Sequence, residues 1–175
     1  VYGEYGNSAK GHSDNLGIFS NIGYKLDDTT SLSLHGRGDS HKYSEENITY
    51  RLNATKLIDK LTLSLSEATG LRHPDLYVLH GGNADSSFYN GSFKAMKATK
   101  AETSKTRELS AEYNLSNKIS FGTTAYRGTV SDVLNRSNSS GGYNEVLEID
   151  QEGLESSLTF KGNNQTLYLT NTLSK

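Results

Sequence analysis

Apolar and polar residues alternate with a period of two along most of this chain, the pattern of a strand with one greasy face and one polar face. In residues 46–56, Ile48, Tyr50, Leu52 and Ala54 fall on one side, while Asn47, Thr49, Arg51 and Asn53 fall on the other. The alternation recurs in Ile18, Ile22, Tyr24 and Leu26, in Leu32 and Leu34, in Leu61, Leu63 and Leu65, and in Leu109, Ala111 and Tyr113. Ile119, Phe121 and Ala125 continue it, followed by Leu154, Leu158 and Phe160, and by Leu167, Leu169 and Leu173. No segment shows a competing helical period. The pattern predicts an all-β fold, an antiparallel up-and-down meander of about eight strands, each close to the ~9–11 residues that a tilted strand needs to cross a bilayer.

The predicted connections alternate in length. Those at residues 27–28, 57–60, 114–118 and 161–164 are short, and those at 37–45, 71–105 and 129–146 are long. In a meander, successive connections lie at opposite ends, so all the short ones share one end and all the long ones the other. Outer-membrane barrels have this division, with short periplasmic turns and long external loops. A soluble β-sandwich has no physical need of it. The expectation is part of a larger transmembrane β-barrel, with a soluble β-domain as the alternative.

Composition alone points elsewhere. With 33% hydrophobic residues, a mean hydropathy of −0.64 and 17 glycines, the chain reads as soluble or partly disordered. In a membrane barrel, however, only every second strand residue meets lipid, so average hydropathy stays low. No apolar run approaches the ~20 residues of a spanning helix, which excludes a helical membrane protein. A net charge of −2 without a basic stripe argues against nucleic acid as a partner. The absence of cysteine removes disulfides, zinc-thiolate sites and cysteine nucleophiles. His73 and His80 lack the spacing of a zinc site, and Ser131-Asp132 has no nucleophile elbow around it. No enzyme, metal or cofactor is expected. Arg37-Gly38-Asp39 matches an integrin-type adhesion tripeptide in an expected external loop, although Gly-Asp-Ser is ordinary turn chemistry. Asn47 and Asn53 begin glycosylation-type triplets inside a predicted strand, where a polar interior accounts for them.

Specific motifs sharpen the reading. Gly70-Leu71-Arg72-His73-Pro74, carrying the only proline, is followed by Leu76, Tyr77 and Gly81 in a Leu-Tyr-x-Leu-x-Gly run. Further on come Glu102-Thr103-Ser104, Glu108, a Tyr-Arg-Gly-x-Val-x-Asp-Val exit over residues 126–133, and Gly153-Leu154-Glu155. In this order the motifs resemble the barrel of TonB-dependent outer-membrane receptors, over about residues 16–174. Two departures stand out: Ala101 replaces the family's usual proline, and Met96-Lys97-Ala98 replaces its usual Asn-Pro-Asn turn.

The resemblance implies a bacterial outer-membrane location, membrane lipid around the wall, and capture of a scarce ligand for uptake energised by the TonB system. The ligand classes are an iron-siderophore, haem or cobalamin. Such receptors have a plug inside a barrel of about 22 strands. Residues 1–175 contain no plug-like segment, no TonB box and no terminal closing aromatic, and are expected to be an interior barrel piece. Gly70, Arg72, Pro74, Leu76, Tyr77, Gly81, Glu102, Ser104, Glu108 and Gly153 are then structural motif positions. Candidate ligand contacts in the 71–105 loop are Arg72, His73, Tyr77, His80, Phe88 and Tyr89, since arginine pairs with anionic chelates and aromatics give flat binding area. Tyr77 equally fits an interfacial girdle. The alternative is a complete small outer-membrane barrel with a binding or adhesion role.

Overall fold

A computed structural model describes residues 14–42, 44–73, 100–136 and 143–175. They form eight strands: β1 (Asn15–Lys25), β2 (Thr30–His41), β3 (Ser44–Ile58), β4 (Leu61–Arg72), β5 (Glu102–Ser116), β6 (Ile119–Arg136), β7 (Tyr143–Lys161) and β8 (Thr166–Ser174). All lie in one antiparallel sheet in the order β1-β2-β3-β4-β5-β6-β7-β8. Among the described residues there is no second sheet to make a sandwich. β1 and β8 are the two edges of the sheet, so these strands do not close on themselves as a small eight-stranded barrel would.

The register sorts the side chains as the alternation demands. Leu34 lies opposite Leu52, Ala54 opposite Leu65, Leu65 opposite Leu109, Leu109 opposite Ala125, and Ala125 opposite Leu154. Directly opposed residues share a face, so Ile48, Tyr50 and Leu52 share an outer face with Leu61, Leu63 and Leu65. Thr49, Arg51, Asn53, Thr62 and Ser64 share the reverse, where Asn53 Nδ2 donates to Ser33 Oγ at 2.9 Å. The outer face has no apolar partner among the described residues. Ala101 is the one buried apolar residue among the described residues, while Leu65 is 57% exposed and Phe121 48%. A water-soluble sheet could not leave such a surface open, because at roughly 25 cal/mol per Å² its burial drives folding. Such a face calls for apolar surroundings.

The apolar band also slides along the ladder. On β4 to β7 it ends at Leu65, Leu109, Ala125 and Leu154, and the next outward residues are Glu67, Arg107, Arg127 and Glu152. On β3, the residue opposite Glu67 is still Leu52, and apolar Ile48 lies further out. Rows of opposed residues run perpendicular to the strands, so a level band crosses them obliquely when strands tilt, as barrel closure requires.

Connections at one end are short, as expected: residues 26–29, 59–60, 117–118 and 162–165. The other end departs from expectation. β2 reaches His41 and β3 begins at Ser44, so residues 37–45 are mostly strand rather than a long loop. β6 runs to Arg136 and β7 starts at Tyr143, so most of the expected 129–146 loop is strand, residues 137–142 lying outside the described residues, and β5 begins at Glu102. The reason is physical: beyond the apolar band both faces of a strand meet polar surroundings, so hydrophobic alternation stops although the ladder continues. Residues 74–99, the bulk of the expected 71–105 loop, lie outside the described residues.

Candidate ligand-capture site

The motif residues that sequence order scattered over more than eighty positions come together on the inner face. Gly70 is directly opposite Ser104, and Arg72 opposite Glu102. Ser66, Glu108, Tyr126 and Gly153 form one continuous row across β4 to β7. Ser66 Oγ donates to Glu108 Oε2 at 3.2 Å. A Cβ on Gly70 would stand 2.5 Å from Ser104 Oγ, and one on Gly153 would stand 2.6 Å from the Tyr126 ring and 2.7 Å from the Leu173 carbonyl oxygen. Both glycines are therefore sites where a cross-strand neighbour occupies the side-chain space. Pro74, Leu76, Tyr77 and Gly81 lie outside the described residues.

Of the candidate ligand contacts, Arg72 and His73 are placed. Arg72 closes β4 rather than lying in a loop. Its Nη1 is 3.4 Å from Glu102 Oε2, with the Arg72 side chain 76% exposed. An ion pair so exposed contributes at most about 1 kcal/mol, which leaves the guanidinium available to exchange partners. The His73 ring stacks on His41, with centroids 4.3 Å apart and planes 12° from parallel. Tyr77, His80, Phe88 and Tyr89 lie outside the described residues.

Arg37, Asp39 and His41 stand beside His73 without a ligand-contact signal in the sequence. Arg37 donates from Nε and Nη2 to the two carboxylate oxygens of Asp39, both at 2.6 Å, the bidentate fork that guanidinium geometry favours. Asp39 is 5% exposed. With Thr49, Leu71 and His73, this pair lines a cavity of about 370 Å³. Arg37, Asp39 and His41 occupy successive inward positions of β2, a period-two signal hidden by assigning residues 37–45 to a loop. Burial foremost, and then the neighbouring His41, push the His73 pKa below its ordinary value of 6.5, with Asp39 opposing. The ring is thus held neutral near pH 7. The end opposite the short turns thus carries flat aromatic surface, on His41 and His73, and an exchangeable cation, on Arg72. Among the described residues, no group of three or more metal-ligating side chains is assembled.

A single sheet with a lipid-demanding outer face, a polar inner face and all its short turns at one end is the wall of an outer-membrane β-barrel. Residues 1–172 match the family model for the TonB dependent receptor-like β-barrel, and the chain belongs to that family. It is accordingly part of an outer-membrane barrel of that family, which is not a family of enzymes. Among solved structures, it is similar to the siderophore receptor PirA from Pseudomonas aeruginosa, with 22% identity and a TM-score of 0.77 over 93% of this chain and 32% of that one. A G324V mutant of the ferric enterobactin receptor PfeA, also from Pseudomonas aeruginosa, gives 22% identity and a TM-score of 0.73 over 92% of this chain and 27% of that one. The FrpB iron transporter from Neisseria meningitidis (F5-1 variant) gives 19% identity and a TM-score of 0.71 over 93% and 26%. The chain thus spans about a third or less of the length of these structures. No curated protein matches it significantly.

Proposed function

We propose that this chain is one sector of a larger receptor barrel that captures an iron-siderophore for TonB-energised uptake. Unpaired strand edges in a bilayer cost several kcal/mol per unsatisfied backbone group, so β1 and β8 call for neighbouring strands. A plug inside the completed barrel would link capture to TonB. The observation that carries the ligand reading is the end of β4 opposite the short turns, where Arg72 is exposed and the next residue, His73, stacks on His41. A guanidinium and flat rings suit an anionic chelate carrying aromatic groups. The iron and siderophore receptors among the similar structures favour that ligand class over haem or cobalamin. Adhesion through Arg37-Gly38-Asp39 has less support, because the two charged side chains bind each other and Asp39 is buried.

The test is Arg72→Ala in the intact receptor. Affinity for an anionic ferric siderophore should fall about tenfold, the scale of a lost charge-assisted hydrogen bond, while a neutral chelate changes little. Deleting residues 85–97 should abolish high-affinity uptake and leave membrane insertion intact, since loop backbone adds little to the ladder. Unchanged uptake in both variants would move recognition to other parts of the receptor.

A further inference from the structure

The polarity of the wall reverses beyond the apolar band. On β6 and β7 the band ends at Ala125 and Leu154. Past it the outward residues are polar: Thr129 Oγ1 donates to Asp150 Oδ1 at 2.7 Å, and Ser131 Oγ donates to Glu148 Oε2 at 3.2 Å. The inward residues at the same level are aliphatic. Val130 lies opposite Ile149 and Val133 opposite Leu147, with Ile149 47% and Leu147 39% exposed. Outside the membrane both faces of a strand meet polar surroundings, so an apolar patch on one of them marks a contact surface.

Plain alternation would not put Val133 on that face. Val130 to Val133 is three steps along β6, whereas Ile149 to Leu147 is two along β7, the mismatch of a β-bulge. The irregularity contains Asp132, whose φ is 59°, a left-handed backbone that residues other than glycine adopt at a cost. Without the extra residue Val133 would turn outward. The strand thus holds a strained position that returns an aliphatic side chain to the inner face.

The patch is continuous with the candidate capture site. Gly70, Ser104, Val130 and Ile149 form one row across β4 to β7, and Arg72, opposite Glu102, takes the next inward position of β4. Neighbouring strands are about 4.8 Å apart, which puts β6 about 10 Å and β7 about 14 Å from the strand that carries Arg72. An exchangeable cation and an aliphatic surface therefore lie within the span of one small molecule. We infer that the ligand is an amphiphilic chelate, whose anionic head exchanges onto Arg72 while an aliphatic arm lies along Val130, Val133, Leu147 and Ile149. This deepens the capture reading given above and rests on it.

The probes are a ferric tris-catecholate and the same chelate carrying an octanoyl chain, with binding to the intact receptor in detergent measured by equilibrium dialysis of radiolabelled iron. Partition into detergent is common to all variants and cancels between them. The acylated chelate should bind about tenfold more tightly, the scale of burying roughly two methylene groups. Ile149→Thr, which keeps a branched side chain, should erase most of that advantage, as should deletion of Asp132, which turns Val133 outward. Asp132→Gly, suited to left-handed backbone, should preserve it. Arg72→Ala should weaken both chelates alike and leave their ratio intact. If neither chelate binds, or Arg72→Ala alters neither affinity, the capture reading falls and this one with it. If Arg72→Ala weakens both but the native receptor binds them equally, or Ile149→Thr leaves their ratio unchanged, capture stands and the amphiphilic ligand is overturned, the patch then packing against another part of the receptor.

Discussion

Gly153 shows how one residue is fixed by its cross-strand neighbour. On its inner side stands the Tyr126 ring, and on its other flank the Leu173 carbonyl, which as ladder backbone cannot retreat. Gly153→Ala should therefore destabilise the barrel by about 1–3 kcal/mol, the usual cost of overpacking. Gly23→Ala offers the contrast, because nothing lies within 4 Å of the added carbon. It should be neutral or slightly stabilising, since glycine in a strand pays extra chain entropy. Urea unfolding of the intact receptor in liposomes distinguishes the two, and equal effects would reject the packing account. The motif order pointed to Gly153 and Gly70 from the sequence. The reason for each is a partner roughly thirty residues away on the next strand, which is invisible without the register.

Individual strands were legible wherever they cross the apolar band and illegible beyond it. The greasy stretch of β2 declares itself through Leu32 and Leu34, but Arg37, Asp39 and His41 continue the same strand with no apolar residue on the outer face to mark it. The short turns were legible because their chemistry is local. Asp27 accepts from the Thr29 amide and hydroxyl, both at 2.7 Å, and from the Thr30 hydroxyl at 3.0 Å, while Lys56 Nζ lies 3.6 Å away. The Thr29 hydrogen bonds, first through its hydroxyl and then its amide, hold the Asp27 carboxyl below its ordinary value of 3.8, with Thr30 and Lys56 adding to them. A carboxylate with a depressed folded pKa stabilises fully above the unfolded value, and the contribution drains as pH falls toward the folded one. Protection of the Leu57 amide, which donates to the Thr29 carbonyl at 2.8 Å, should hold above pH 3.8 and decline below it. In Asp27→Asn that decline should be absent.

At the opposite end the sign comes from a base. Because the folded pKa of His73 is lowered, the unfolded state binds its proton first, and stability is complete above about 6.5 and lost as pH falls below it. The stacked rings tie the end of β2 to the end of β4 across β3. Spin labels on those two strand ends should report a separation that increases on acidification from pH 7.5 to 5, and His73→Phe should make the distance independent of pH. An unchanged distance in the native protein would show that the stack does not hold the ends together.

For the whole molecule, one fact outranks the rest: the sheet has a face that water will not tolerate and nothing among the described residues to cover it. Low mean hydropathy concealed this, because an average cannot distinguish alternation from mixture. Only the period and the loop rule exposed it. What neither could reveal was the oblique edge of the band, since the stagger between Leu52 and Glu67 exists only once β3 and β4 are paired. A decisive check places single environment-sensitive labels at Leu65 and Arg51, which lie on opposite faces. In the intact receptor, the label at Leu65 should be quenched by a lipid-borne quencher and the one at Arg51 by aqueous iodide. Charge gives the same answer in energy: Leu65→Arg should cost about 2–4 kcal/mol if it faces the bilayer's middle and less toward its edge, whereas Ser64→Arg, on the polar inner face, should cost far less. Equal quenching at both labels, or equal costs for both arginines, would mean that the sheet does not divide lipid from a polar interior.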